Sequence, residues 1–178
     1  MSRLTDIREQ DATGKAAELF SGIKKAVGKV PNAYLTIGGH SPEALQQVLA
    51  HNAMLHKGSL NAKMLEAINL SVSEATQCDY CLAAHTLMAK KAGFSSEQIH
   101  ALRRGEYAED AQLDALVKFA QTLVTTTGTL PEANVTALKH AGFSDRQIVE
   151  IISAISAILF TNMVNRVNDT VVDFPKAD

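Results

Sequence analysis

The side chains best suited to chemistry lie within twenty positions of one another, at Glu66, Cys78, Cys81 and His85. The chain has 178 residues and these are its only two cysteines. If residues 78–85 are helical, the two thiols and the imidazole fall at i, i+3 and i+7, on one face. Thiols one turn apart can close a disulfide with modest backbone adjustment, and a histidine one turn on can take or hold a thiol proton. The pattern outlines a dithiol redox site.

Three other uses of the cysteine pair remain open. Buried cysteines often serve as small apolar side chains chosen for packing. A C-x-x-C pair with one histidine supplies three zinc ligands, whereas a structural zinc site needs four and usually a second pair. No such spacing is seen among the other histidines, which are His40, His51, His56, His100 and His140. The third alternative is a structural disulfide, which a reducing cytosol disfavours.

Composition and charge narrow the range of partners. Apolar residues make up 46% of the chain and charged residues 20%, as in ordinary globular proteins, and we expect one domain over residues 1–178. A net charge of −2 and an aromatic content of 5% argue against nucleic acid or an anionic membrane as partner.

The N-terminus lacks a signal peptide's apolar run, and the longest apolar stretch, 151–160, is too short to cross a membrane. A cytoplasmic location is therefore expected.

The periodicity of the chain is helical throughout, and no segment reads convincingly as a strand. Seven to nine helices without a sheet predict an all-α bundle. Asn32 to Gly38 is a short apolar segment that Gly38-Gly39 should break. The longer predicted helices cover about 11–30, 41–56, 110–127, 131–141 and 144–172. Two more are separated by a predicted break at 76–79: one begins at 61, and the other continues to about 92.

The segment Thr76-Gln77-Cys78-Asp79 decides whether Glu66 can serve the thiols. In one straight helix Glu66 would lie about 18 Å along the axis from Cys78, at about 1.5 Å per residue. The four residues are poor helix formers whose side chains cap. A break here would fold two helices back on each other. It would also place Cys78 in the first turn of the second helix, where the dipole favours a thiolate.

An internal repeat accompanies the cysteine motif. The pattern A-G-F-S-x-x-Q-I occurs at 92–99 and again at 141–148, an offset of 49. In each copy glycine suits a helix end, Ser-x-x-Gln suits a capping box, and Phe and Ile can form a hydrophobic staple. The two copies predict a duplicated helical unit. At the offset of 49 the second unit has Thr127 and Leu130 in place of the cysteines, so only the first can carry thiol chemistry.

The spacing Glu66-x11-Cys78-x2-Cys81-x3-His85, followed by a helix and Ala-Gly-Phe-Ser, resembles a known family core. It is similar to the alkylhydroperoxidase D core of the carboxymuconolactone decarboxylase-like superfamily. The resemblance covers roughly residues 30–105 and, more loosely, the C-terminal half. It implies an all-α, AhpD-like helical bundle that assembles as a homo-oligomer, either a trimer or a hexamer.

The resemblance also implies an activity and roles within a redox core at about 59–105. The implied reaction is thiol-dependent reduction of a hydroperoxide, recycled by a dithiol on a thioredoxin-like or lipoyl protein, with no cofactor. In the family's pattern Cys81 meets the peroxide and Cys78 resolves it. His85 is the proton partner and Glu66 the relay carboxylate. A non-peroxidatic module for thiol–disulfide exchange or redox sensing is the alternative function.

The chemistry of the residues supports part of this assignment independently. His85 follows Cys81 by one helical turn and can share its proton more easily than that of Cys78. Peroxide converts a thiolate to a sulfenic acid, which condenses with a neighbouring thiol, and an external dithiol must then reopen the disulfide. Cys78, at a helix start, is the better target for that dithiol. In thioredoxin-like sites, however, the first cysteine leads, so the order stays open.

One position departs from the pattern of the peroxidases that the core resembles. They carry a second histidine just before the second cysteine, where this chain has Tyr80. A phenol with the usual pKa of about 10 cannot shuttle protons at pH 7 as an imidazole does. Tyr80 can still donate a hydrogen bond or shape the pocket.

The last predicted helix has two further features. Asn162, Asn165 and Arg166 lie among apolar residues of this helix. Three interpretations are open: a buried polar cluster that faces the site, a subunit contact, or a solvated face. A helix that is apolar on several sides is buried from several directions, which supports oligomerisation. The apolar residues concerned are Ile148, Ile151, Ile152, Ile155, Ile158 and Leu159.

Overall fold

The computed structural model describes residues 2–177. Over that range the chain forms nine α-helices and one short 3₁₀ turn, with no β-strand, which confirms the predicted all-α fold. The helices are α1 (Gly14–Val27), α2 (Asn32–His40), α3 (Pro42–His56), α4 (Ala62–Ala75), α5 (Asp79–Lys91), α6 (Ser96–Arg103), α7 (Ala111–Thr125), α8 (Glu132–His140) and α9 (Asp145–Asn168).

The repeated sequence pattern marks a repeated three-helix unit. The order α4, α5, α6 recurs as α7, α8 and the start of α9, and α4 and α7 begin 49 residues apart, as do α6 and α9. Gly93 and Gly142 each end a helix with a φ of +92°, a conformation that glycine adopts without steric cost. Ser95 and Ser144 then start the next helix, each with a complete capping box. The predicted duplication is therefore present in the fold.

Helix α4 lies at the centre of the molecule and carries the acidic residue of the site. It packs against α5, α6, α7 and α9. Ala67, Ile68, Leu70 and Val72 are fully buried, so the helix is covered on several sides. A smaller apolar cluster joins α1, α2 and α3. Glu66 thus projects from an element whose position is fixed by the main core.

Two glycines that were expected to break a segment instead lie inside a helix. Gly38 and Gly39 belong to α2, so the predicted break is wrong. A Cβ at Gly38 would come 2.7 Å from the Phe20 ring, and one at Gly39 would come 2.7 Å from Ile7 Cβ. These glycines therefore permit close packing of α2 rather than ending it.

Helix α9 ends earlier than expected. Its last residue is Asn168, not residue 172, because Asp169 adopts the left-handed conformation and terminates the helix. In the described part of the chain, α9 is the one helix long and apolar enough to span a membrane by length and composition. A core helix passes the same test, and Ile151, Ile155 and Ile158 of α9 belong to the main core.

Candidate active site

The joint between α4 and α5 brings the site together. Helix α4 ends at Ala75 and α5 begins at Asp79, so the predicted break is confirmed. Gln77 takes a left-handed φ of 55°, which turns the chain. The Cys78 N–H then donates to the Ser73 carbonyl at 3.0 Å. Because the chain reverses here, α5 packs back against α4.

Cys78 is the N-cap of α5. Its Sγ accepts a hydrogen bond from the Cys81 N–H at 3.4 Å. The two cysteines form a disulfide with their Cα atoms 5.3 Å apart, and they are only 1% and 3% exposed. Both sulfurs lie at the positive end of the α5 dipole, which stabilises a thiolate in the reduced form.

A histidine–carboxylate pair lies one turn further along α5. His85 Nδ1 and Glu66 Oε2 are 2.9 Å apart, and Glu66 Oε1 accepts from Asn69 Nδ2 at 3.3 Å. With the Nδ1 proton directed at the carboxylate, the lone pair of a neutral imidazole resides on Nε2, which can accept a proton. His85 follows Cys81 by four residues and shares its helix face. The carboxylate therefore contacts the imidazole that follows Cys81 by one helical turn.

Tyr80 holds the C-terminal segment in place. Its hydroxyl accepts from the Ala33 N–H at 3.1 Å and donates to Asp173 Oδ1 at 2.8 Å. The Phe174 ring meets the Tyr80 ring edge-on, with centroids 5.6 Å apart. Burial raises the pKa of the phenol, and the Asp173 carboxylate adds to the effect, so the group stays neutral. Tyr80 thus ties the segment after α9 to the start of α2.

Loss of the Tyr80 hydroxyl should loosen this segment. Tyr80→Phe leaves the Ala33 N–H without its acceptor and Asp173 without one donor, so we expect a loss of about 1–3 kcal/mol in the free energy of unfolding. Urea denaturation measures the loss, and amide hydrogen exchange should rise in residues 170–174. Tyr107→Phe is the control, because Tyr107 packs edge-on against Phe94 instead. Equal stability and equal exchange in both variants would contradict the anchoring role.

Buried asparagines on α9 face the site. Asn162 Nδ2 donates to Thr76 Oγ1 at 2.8 Å, and its Oδ1 accepts from Ser73 Oγ at 3.4 Å, so it fixes the α4–α5 joint. Asn165 Nδ2 donates to Cys81 Sγ at 3.4 Å. The sequence left three interpretations open for these residues: a buried polar cluster, a subunit contact or a solvated face. For both asparagines the structure shows the buried polar cluster. The sequence signal for them was polar residues at a helical spacing within an apolar helix.

A polar pocket of about 290 Å³ opens on Cys78. Its walls come from the α4–α5 joint, the end of α9 and the segment that follows, and they include Asp79, Asn165 and the exposed Arg166. Cys78 belongs to the lining and Cys81 does not. A group that enters this pocket therefore meets Cys78 before Cys81.

The described residues offer no ready metal site. Within residues 2–177, no group of three or more His, Cys, Asp or Glu side chains is arranged to hold a metal ion. The arrangement present, a cysteine pair one helical turn before a histidine–carboxylate pair, suits proton-coupled thiol chemistry.

The fold is shared by solved structures over almost its full length. An uncharacterized peroxidase-related protein from Ralstonia eutropha JMP134, described as an alkylhydroperoxidase AhpD core, is 20% identical, with a TM-score of 0.85 over 97% of this chain and 92% of that one. A peroxidase-related protein from Silicibacter sp. TM1040 is 23% identical, with a TM-score of 0.83 over 96% and 91%. A cysteine variant of the debrominase Bmp8, in complex with 2,3,4-tribromopyrrole, is 20% identical, with a TM-score of 0.81 over 97% and 94%.

The fold and site define the class as all-helical proteins with the AhpD core. No curated protein matches the sequence significantly. Residues 42–122, which include all four site residues, match the carboxymuconolactone decarboxylase family. The resemblance to the AhpD-like and carboxymuconolactone decarboxylase-like superfamily that the motif predicted is therefore confirmed.

Proposed function

We propose that this protein is a peroxidase that reduces hydroperoxides through a dithiol–disulfide cycle of Cys78 and Cys81. The observation that carries the proposal is the disulfide at the start of α5, one turn from the His85–Glu66 pair. An uncharacterized peroxidase-related protein and a debrominase share the fold, which supports a catalytic rather than a purely structural role. On the basis of the composition, we also propose a cytoplasmic location and no nucleic-acid or membrane partner.

The proposed cycle begins at Cys81. Its thiolate attacks the terminal oxygen of the hydroperoxide, the O–O bond breaks, and Cys81 becomes a sulfenic acid while an alkoxide leaves. His85, protonated by the thiol beforehand, returns the proton and releases an alcohol. The Cys78 thiol then attacks the sulfenic sulfur, which forms the disulfide and expels water. The two electrons that reduce the peroxide come from the two thiols.

An external dithiol closes the cycle. A thioredoxin-like or lipoyl dithiol attacks one sulfur of the disulfide, forms a mixed disulfide and then resolves it, so the external pair is oxidised. The polar pocket on Cys78 supports attack at that sulfur, with Cys81 as the leaving thiolate at the helix N-terminus. No cofactor is required by these steps.

The proposal is tested by intact-mass measurement of the reduced protein after one equivalent of hydrogen peroxide or tert-butyl hydroperoxide. We expect the loss of two hydrogens without added oxygen, followed by repeated peroxide consumption when a dithiol reductant is supplied. Reversible disulfide formation without peroxide turnover would instead favour the module for thiol exchange or redox sensing. A mass unchanged by peroxide would count against both.

Reductive debromination is a second candidate, suggested by the likeness to Bmp8. Two thiols and an aryl bromide would give the debrominated arene, hydrogen bromide and the disulfide, which balances with the same Cys78–Cys81 pair. The two activities separate in one assay, because only debromination releases bromide from a polybrominated pyrrole. We favour the peroxidase because the Glu66–Cys78–Cys81–His85 spacing resembles that of the alkylhydroperoxidase D core.

The outward side of α9 supports a homo-oligomer. Its inner side belongs to the core, yet a second row of apolar residues lies exposed on one face of the helix, interrupted by Ser156. Exposed apolar rows of this kind mark protein interfaces. We propose that a second copy of the chain covers the row and that the assembly is a trimer or hexamer. The exposed row is Val149, Ile152, Phe160, Met163 and Val167.

Charges in the exposed row should dissociate the assembly. Val149→Lys combined with Met163→Lys places two charges where the interface would desolvate them, and we expect sedimentation to fall to the 19.1 kDa monomer at micromolar concentration. Val27→Lys is the control, because Val27 is exposed on α1 outside the row. A monomeric wild type would contradict the proposal directly, and so would an unchanged assembly in the double variant.

A further inference from the structure

Among the described residues, one buried polar atom of the side chain that bonds Cys81 Sγ has no hydrogen-bond partner. Three asparagines, Asn162, Asn165 and Asn168, lie on one side of α9 and are at most 3% exposed. Asn162 and Asn168 use both ends of their amides in hydrogen bonds. Asn165 uses only Nδ2, on Cys81 Sγ, and within the described part of the chain its Oδ1 has no partner.

This arrangement is informative because buried amide oxygens are almost always satisfied. Leaving one unpaired destabilises the fold, so each such atom calls for an explanation, and a redox or catalytic role is one of them. The structure contains the disulfide, in which Cys81 carries neither a negative charge nor a hydroxyl group. The reduced and the sulfenic states of the same cysteine differ in both respects.

The reduced and the sulfenic state of Cys81 each match a different atom of the Asn165 amide. In the reduced state a Cys81 thiolate is a charged acceptor, and the bond from Asn165 Nδ2 becomes charge-assisted. When the thiolate takes the terminal oxygen of a hydroperoxide, that oxygen arrives as a hydroxyl group attached to sulfur. Its hydrogen needs an acceptor in a buried site. Asn165 Oδ1 belongs to the same amide as the Nδ2 that bonds Cys81 Sγ, and among the described residues it has no partner.

We propose that Asn165 is a catalytic residue of the peroxidase reaction, whose Nδ2 stabilises the Cys81 thiolate and whose Oδ1 accepts the hydrogen of the transferred hydroxyl group. This inference rests on the proposed function. The O–O bond breaks as the S–O bond forms, the alkoxide leaves with a proton from His85, and the hydroxyl stays on Cys81 bonded to Asn165. Condensation with Cys78 then removes the hydroxyl as water and leaves Oδ1 unpaired again, as in the disulfide form.

The two halves of the proposal are tested separately in a Cys78→Ser background, which leaves one thiol. The first measurement is the pH profile of Cys81 alkylation by iodoacetamide, which reports the thiolate and needs no peroxide. We expect Asn165→Leu to shift this profile to higher pH, because the thiolate loses its donor. Asn165→Asp, of nearly equal volume, should shift it further, because a carboxylate opposes the thiolate. It serves as the second variant if Asn165→Leu fails to fold.

The second measurement is the rate of Cys81 oxidation by hydrogen peroxide at a pH where alkylation shows the thiolate to be complete. There we expect Asn165→Leu to react about ten- to a hundredfold more slowly, since the transferred hydroxyl lacks its acceptor. Asn168→Leu is the matched control, because Asn168 is equally buried on the same helix but bonds Thr36 and Thr170 instead. It should leave both measurements unchanged.

The outcomes separate the inference from the proposed function. If parent and Asn165→Leu proteins react with peroxide at equal rates and share one alkylation profile, the inference is overturned while the peroxidase stands. If only the profile moves, the hydroxyl-acceptor role is overturned. If the parent itself does not react with any hydroperoxide, the proposed function fails and the acceptor role falls with it. A shifted alkylation profile would then still support the bond between Asn165 and the thiolate.

Discussion

Replacing Cys81 by serine should reduce hydroperoxide consumption to the uncatalysed background, a loss on the order of a thousandfold or more. A serine hydroxyl does not ionise near neutral pH and cannot accept the oxygen as a thiolate does. Cys81 is favoured as the attacking residue by its position one turn before His85 and by its contact with Asn165 Nδ2. Consumption is measured with peroxide and an excess of dithiol reductant.

The matched variant, Cys78→Ser, should behave differently. It keeps the attacking thiol but removes the partner that condenses with the sulfenic acid, so Cys81 should be oxidised once and hold a sulfenic acid that dimedone traps. Mass spectrometry of the peptide locates the adduct. A sulfenic acid on Cys78 in the Cys81→Ser variant, with turnover retained, would reverse the two roles and match the order of thioredoxin-like sites.

Local signals made the helix joint predictable. Thr76, Cys78 and Asp79 are weak helix formers, and Cys78 caps α5. The break that they form lets Glu66 of α4 meet His85 of α5. The capping boxes at Ser95 and Ser144 are equally local, because every group in them lies within four residues. Such features depend on neighbouring residues alone, and for that reason they can be read from one sequence.

The contacts of Tyr80 and Asn165 could not be read in this way. The Tyr80 hydroxyl bonds Asp173, 93 residues further on, and the bond depends on the path that the chain takes after α9 ends. Asn165 faces the sulfur only because α9 packs with that side inward. Helix α9 is apolar on both its buried and its exposed sides, so its periodicity does not say which side meets the core.

Two glycines also show that contacts between distant segments cannot be read from the sequence. Gly38-Gly39 carries the sequence signature of a helix breaker, yet both residues lie within α2. Their role is set by Phe20 and Ile7, which approach so closely that a Cβ would collide. A close approach between distant segments is a property of packing, and composition alone does not reveal it.

Replacing His85 by glutamine should slow peroxide reduction about a hundredfold to ten-thousandfold near neutral pH, the range for loss of a general acid–base group. The imidazole takes the Cys81 proton before attack and returns it to the leaving alkoxide, and glutamine does neither. The first of these defects should shrink as pH rises past about 8.5, where an unassisted thiol ionises by itself. Single-turnover oxidation across pH measures this recovery, and His56→Gln, on the exposed end of α3, is the control.

Glu66→Gln should have a smaller effect through the same imidazole. The carboxylate fixes the ring by its bond to Nδ1, and the amide can still accept that bond but no longer stabilises a positive imidazolium. We expect a loss of about tenfold, and little additional loss when Glu66→Gln is combined with His85→Gln, because Glu66 then has no imidazole to act on. Losses that multiply in the double variant would show that Glu66 acts on the thiols by another route. If His85→Gln matches the control at every pH, the imidazole is not the proton partner of Cys81.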